Sequence, residues 1–186
     1  MTRGKTDMKN VKENRDTPNE NRCFALASND LLCAAVISHK TLCLIAAKWL
    51  KNRCKERCPV VFVELVTGAF ETPDVFGCNG SNSIVIEVKT SRSDFLRDKK
   101  KFFRLYPEMG VGDFRYYLCP TGIVKPEDVP EKWGLIWVGE NQKCKVVKEI
   151  LNGNTNAQNP NRFEKNGRNE RAIMYSALRR LQQTGA

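Results

Sequence analysis

The chain of 186 residues lies within the usual size of a single domain and is long enough to bury a core without staples. Its 31 Lys and Arg against 21 Asp and Glu, with one His, leave a formal charge of +10, which points to a polyanionic partner, a nucleic acid or an anionic membrane. The longest apolar runs, residues 31–37 and 42–47, fall well short of a membrane span of about 20 residues and lack the flanks of a cleavable signal, so a cytoplasmic protein with no membrane partner is expected.

Residues 1–22 are polar, with almost no large apolar side chain, and read as a disordered tail. Asp30 can cap a short helix over 30–37, and Ser38 a second one in which Leu42, Ile45 and Trp49 form an apolar stripe. That helix runs into the basic stretch 51–57. Residues 60–66, rich in β-branched side chains, predict a strand that Gly68 breaks, and a second short strand is expected over 74–76. A turn over 77–81 leads into the clearest strand, 83–89.

Ser93 can cap a helix over 94–104 carrying Phe95 and Phe102 on one side and Lys99, Lys100 and Lys101 towards solvent. An aromatic strand over 114–118, a short helix or turn over 126–132, and strands at 135–138 and 145–150 complete the main body, residues 23–151. An Asn- and Gly-rich linker, 152–169, then precedes a C-terminal helix within 170–186, where Met174, Leu178 and Leu181 recur at helical spacing. This order predicts an α/β or α+β sheet flanked by helices rather than a bundle or a sandwich.

Eight cysteines without an export signal or tight pairs read as reduced thiols. The nearest pair, Cys54 and Cys58, would need further ligands from Cys78, Cys119, Cys144 or His39 to hold zinc or an iron–sulfur cluster.

The chemistry is suggested where Pro73-Asp74 heads one strand and Glu87-Val88-Lys89 ends the next. Strand alternation puts Glu87 and Lys89 on one face, roughly 6.6 Å apart, with Ile84, Ile86 and Val88 on the other. The hairpin between them can bring Asp74 beside Glu87. Two such carboxylates, with the Val88 carbonyl, suit a hard cation completed by waters and phosphate, and Lys89 could orient the attacking hydroxide or stabilise developing charge. An E-x-K pair also describes the solvated face of an ordinary strand; the joint placement of the two motifs before a basic helix favours chemistry.

Thr72-Pro73-Asp74 and Ile86-Glu87-Val88-Lys89 resemble the signature of the PD-(D/E)XK nuclease superfamily. The likeness extends towards its MmcB-like DNA repair proteins through His39-Lys40, Leu42-Cys43, Trp49-Leu50, Glu64, the run 91–95, Gly112-Asp113, the run 115–118 and Trp133-Gly134-Leu135. It covers about residues 38–139.

The resemblance implies a restriction-endonuclease-like fold with a central mixed sheet, and Mg²⁺-dependent cleavage of DNA, with Mn²⁺ able to substitute. It makes Asp74 and Glu87 metal ligands and Lys89 the catalytic lysine. Glu64 becomes a further acid for a second ion or the water, or a structural residue. The glutamate that superfamily members often carry on the first helix has no counterpart between Ser38 and Asn52. Ser91 and Arg92 could hold a phosphate, Ser91 equally a helix cap, and Lys99, Lys100 and Lys101 could follow a DNA backbone. His39 reads as an ordinary helix-start residue, and Phe114, Tyr116 and Tyr117 as sheet core rather than a base-stacking platform.

The expected function is therefore a DNA nuclease of repair or recombination. The alternatives are a Holliday-junction resolvase acting as a homodimer, a defence nuclease, and a non-catalytic DNA-binding accessory that recruits repair proteins through a silent metal site.

Overall fold

The computed structural model describes residues 37–52 and 58–185. The expected tail at 1–22, all but the last residue of the helix at 30–37, and Cys54 lie outside the described residues. A six-stranded sheet runs in chain order, β1 (Val60–Val63), β2 (Val75–Cys78), β3 (Ser83–Val88), β4 (Phe114–Pro120), β5 (Trp133–Val138) and β6 (Cys144–Lys148). β1, β2 and β3 pair antiparallel, β3, β4 and β5 parallel, and β6 returns antiparallel to β5. The fold is α+β, as expected from the element order, and its sheet is mixed.

Two layers cover the sheet. On one face α1 (His39–Asn52) lays Leu42, Cys43, Ala46 and Leu50 against Ile84, Ile86, Val88, Phe114, Tyr116 and Leu118. Its start is set by Ser38, whose Oγ accepts from the Thr41 amide at 3.2 Å. The opposite face carries Phe95, Tyr117, Cys119, Trp133 and Leu135 in one cluster and Phe76, Val85, Val111 and Ile173 in another. The central strands β3 and β4 are thus buried on both faces, as strands inside a parallel pairing must be. Phe114, Tyr116 and Tyr117 are fully buried, so the core reading of these aromatics holds.

Several boundaries differ from the sequence expectation, each for a local reason. β1 stops at Val63 because Glu64 adopts a left-handed backbone, φ 45°, well before Gly68. The hairpin turn lies at Asn79–Asn82, where the Asn79 side chain accepts from the Ser81 and Asn82 amides, and Gly77 and Cys78 remain in β2. The expected helix 94–104 is two helices, α2 (Arg92–Asp98) and α3 (Phe102–Leu105), and Ser91 rather than Ser93 is the cap. Lys101 takes an extended backbone between them, φ −66° and ψ 147°. That break turns Phe102 out to solvent while Phe95 stays buried.

The Asn-rich stretch after β6 is fastened to the body. Asn159 is buried and donates to the Ile150, Leu151 and Asn154 carbonyls, and Arg162 and Lys165 both pair with the buried Asp113. Asn166 then caps α4 (Gly167–Gln183). α4 docks through Ile173 and Ala177, with Leu178 and Leu181 exposed. The small Ala177 permits a closer approach than the Leu stripe would.

Gly134 on β5 faces Tyr116 across the parallel pairing, and a Cβ there would come within 2.2 Å of two ring carbons. The ring is held by a 2.7 Å bond from its hydroxyl to Glu149 and by edge contact with Trp49. Gly134→Ala is therefore expected to cost about 1–3 kcal/mol through overpacking. A thermal melt would read it as a lower midpoint, and an unaltered midpoint would mean that the ring relaxes freely.

Candidate active site

The pairing of β2 with β3 places Val75 opposite Ile86, so the next pair outward is Asp74 and Glu87. Asp74 is tied to that position by the Val88 amide, which donates to its Oδ2 at 2.8 Å. Glu87 and Lys89 project from the sheet face opposite Ile86 and Val88, as the alternation predicts. Their side chains meet, Lys89 Nζ lying 3.3 Å from Glu87 Oε2. Asp74, Glu87, the Val88 backbone and Lys89 thus come together at one end of the sheet.

Behind them lies an ion network that sequence reasoning missed. Asp98 is 1% exposed; its Oδ1 lies 3.0 Å from Lys89 Nζ and 2.9 Å from Lys101 Nζ. Its Oδ2 accepts from Arg104 Nε at 2.7 Å and from the Tyr117 hydroxyl at 2.8 Å. Arg104 also reaches Glu87 Oε2 at 3.0 Å and Glu71 Oε1 at 3.1 Å, and its guanidinium lies over the Trp133 ring. The break after α2 is what allows Arg104 to fold back onto Asp98. A continuous helix would carry it round to another face.

Titration follows this geometry. Burial alone would raise the Asp98 carboxyl, but Arg104 and Lys89 hold it well below the usual carboxylate range. Burial pushes Glu71 up against the pull of Arg104, and pushes Arg115 down to about 10 in spite of Glu71. Arg115 Nη1 is a buried side-chain atom without a hydrogen-bond partner among the described residues.

The outer half of the site is different. His39, the first residue of α1, sets Nε2 3.6 Å from Asp74 Oδ2 and Nδ1 3.5 Å from Glu64 Oε1. The left-handed turn at Glu64 is what swings this carboxylate to the helix; the ordinary helix-start role expected for His39 understates its position. Cys43, one turn on, lies 3.6 Å from His39 Nδ1, and ligand atoms of His39, Cys43 and Glu64 all fall within 4.8 Å of one another. The Cys43 thiol is pushed up to about 12 by burial and then by Asp74, so it is a neutral thiol rather than a nucleophile.

Charge balance separates the halves. Glu71, Glu87 and Asp98 are matched by Lys89, Lys101 and Arg104. Among the described residues, Asp74 and Glu64 both lie against His39. Burial, and then the neighbouring Glu87, raise the Asp74 carboxyl above its ordinary 3.8. A carboxylate raised in the folded state adds stability at low pH and loses it as pH rises through the folded value. Asp74→Asn, which keeps an acceptor for the Val88 amide, should therefore leave the metal-free protein as stable at pH 7 or more so, with that gain vanishing in acid. Denaturation at the two pH values would check it; a loss of stability at pH 7 would contradict the sign.

Of the other candidates, Ser91, Arg92, Lys99 and Lys101 are engaged in structural contacts. Ser91 caps α2 by accepting from the Asp94 amide. Arg92 forms a two-pronged pair with Asp128 at 2.6 and 2.9 Å, so it is already committed to a carboxylate. Lys99 lies over the Phe95 ring, Lys100 is exposed, and Lys101 belongs to the Asp98 network. Cys43, Cys78, Cys119 and Cys144 are free thiols.

The donor set fits a divalent cation: two carboxylates, Asp74 and Glu64, lie on the accessible side, and His39 adds a nitrogen ligand. No described helix is long and apolar enough to cross a membrane. No protein-family model and no curated protein sequence matches the chain. Among solved structures, the SPO1766 protein of unknown function from Silicibacter pomeroyi is similar at 23% identity and a TM-score of 0.44, over 66% of this chain and 77% of that one.

Proposed function

We propose that this chain is a metal-dependent deoxyribonuclease that hydrolyses DNA phosphodiesters in repair or recombination. The observation that carries this reading is the convergence of Asp74, Glu87 and Lys89 at one strand end, with the acids Asp74 and Glu64 gathered around His39 on the accessible side. Asp74 and Glu87 would hold Mg²⁺ or Mn²⁺ with the Val88 carbonyl, and Glu64 and His39 lie close enough to complete the set. Bound there, the ion supplies an acidified water and neutralises charge on the phosphodiester. The chain's own parts are to orient and to balance: Glu87 is fixed by Arg104, and Lys89 is held by Asp98 beside the carboxylates.

A second reading, DNA binding without hydrolysis, is favoured by one observation. Lys89 and Glu87 are each only 3% exposed and locked into the ion network, as a silent site would be. Incubating single-stranded, duplex and branched DNA with Mg²⁺, Mn²⁺ or EDTA decides between the two. The nuclease reading expects cutting that EDTA stops. Loss of outer-shell partners alone weakens metal binding about 10–100-fold, so Asp74→Asn should raise the Mg²⁺ required by at least that factor. Undiminished cutting by Asp74→Asn removes the mechanism, and salt-sensitive binding with no cutting supports the second reading.

A further inference from the structure

The turn from α2 into α3 carries an unusual surface. Phe102, Leu105, Tyr106 and Met109 are 53%, 64%, 50% and 40% exposed within one short stretch. The Phe102 and Tyr106 rings lie 4.9 Å apart and Phe102 meets Phe103 edge-on at 5.3 Å, so the rings hold one another in place without being covered. Just before them in the chain the exposed charges are positive, Arg97, Lys99, Lys100 and Lys101, while Asp98 is buried in the ion network; one exposed acid, Glu108, follows Tyr106.

We propose that this turn is a binding surface for an unpaired DNA strand, Phe102 and Tyr106 stacking on bases while Arg97, Lys99 and Lys100 meet the phosphates. The inference rests on the nuclease reading for its choice of DNA. Solvent-facing rings beside clustered cations match both parts of a single strand, the flat bases and the charged backbone. A duplex offers no free base face to a ring, because its bases are already stacked. Apolar rings preceded by four exposed cations suit an acidic polymer better than an apolar protein face, where charge is depleted. Lys101 joins the surface to the candidate active site, with Nζ 2.9 Å from Asp98 and 3.8 Å from Glu87. The substrate class that follows is DNA with an unpaired segment: a free strand, a flap or a gap.

The test is fluorescence anisotropy with the full chain in EDTA, using labelled oligothymidylate of about 20 nucleotides and a duplex of equal length. The expected result is tighter binding of the single strand, about tenfold weaker for each ring lost in Phe102→Ser and Tyr106→Ser. Phe102→Trp should restore it. Lys99→Gln and Lys100→Gln should each flatten the salt dependence by about 0.7 in log–log slope, and Leu105→Ser, equally exposed but unable to stack, should change the affinity least.

Equal affinity for duplex and single strand, or ring variants that bind as the parent does, overturns the proposal. So does a self-association that the ring variants abolish without loss of DNA affinity, since the rings would then be a face between two copies. The two readings fail separately: cutting by a protein whose ring variants bind normally removes the stacking surface alone, and ring-dependent binding by a protein that never cuts removes the nuclease alone.

Discussion

Arg104→Met should lower the stability of the fold by about 3–5 kcal/mol, the cost of stripping one partner from a buried ion network. The side chain is 5% exposed and serves Glu71, Glu87 and Asp98 together. Without it, Lys89 and Lys101 are left to balance Glu87 and Asp98, and Glu71 keeps, of its cations, only the more distant pull of Arg115 among the described residues. Arg104→Lys should recover little, because one ammonium cannot reproduce a planar fork that reaches three acids and lies on Trp133. The pH dependence has a definite sign. Asp98 is depressed in the folded state, so its contribution is present above the unfolded carboxylate value and is lost as pH falls through the folded one. The difference between parent and variant should therefore shrink in acid. Chemical denaturation at pH 7 and at about pH 3 reads both effects; a loss under about 1 kcal/mol at pH 7 would mean that water replaces the guanidinium.

The same network marks the limit of what could be read from the sequence. α1 was legible because a capping Ser precedes a regular apolar stripe, and β3 because its apolar residues alternate with Glu87 and Lys89. Both signals are local. Pairing of Asp74 with Glu87 was also within reach, since a short turn fixes the hairpin register.

Asp98 and Arg104 gave no such signal. They sit in a run of charges that reads as the solvated side of one helix, and no Gly or Pro marks the break at Lys101. The break is stabilised by tertiary contacts, the return of Arg104 onto a buried carboxylate, which no local propensity encodes. Glu64 is similar: its left-handed backbone is rare for a residue with a side chain and follows from the bond of its amide to the Asp74 carbonyl. In α4 two stripes compete at the same spacing. Sequence reasoning favoured Met174, Leu178 and Leu181; Met174 packs partly against the core, whereas Leu178 and Leu181 are exposed and Ile173 and Ala177 are the buried ones.

Lys89→Ala separates chemistry from architecture more sharply than any other change at the site. Under the proposed hydrolysis, losing one preorganised group that stabilises developing charge should slow cutting by about 10²–10³-fold. The structural cost should be smaller than for Arg104→Met. Asp98 keeps Arg104, Lys101 and the Tyr117 hydroxyl when Lys89 is lost, and Glu87 keeps Arg104. A buried carboxylate with three partners remaining is still compensated. The stem of Lys89 is nevertheless 3% exposed, so truncation opens a cavity; Lys89→Met fills that space without restoring the charge. Methionine should therefore recover most of the stability that alanine loses and none of the rate. Single-turnover cleavage at saturating Mg²⁺, set beside denaturation midpoints for the three proteins, reads the split. If rate returned with packing in the methionine variant, Lys89 would be a filler of the core, and the hydroxide or leaving oxygen would have to be served by His39, which lies on the accessible side of Asp74.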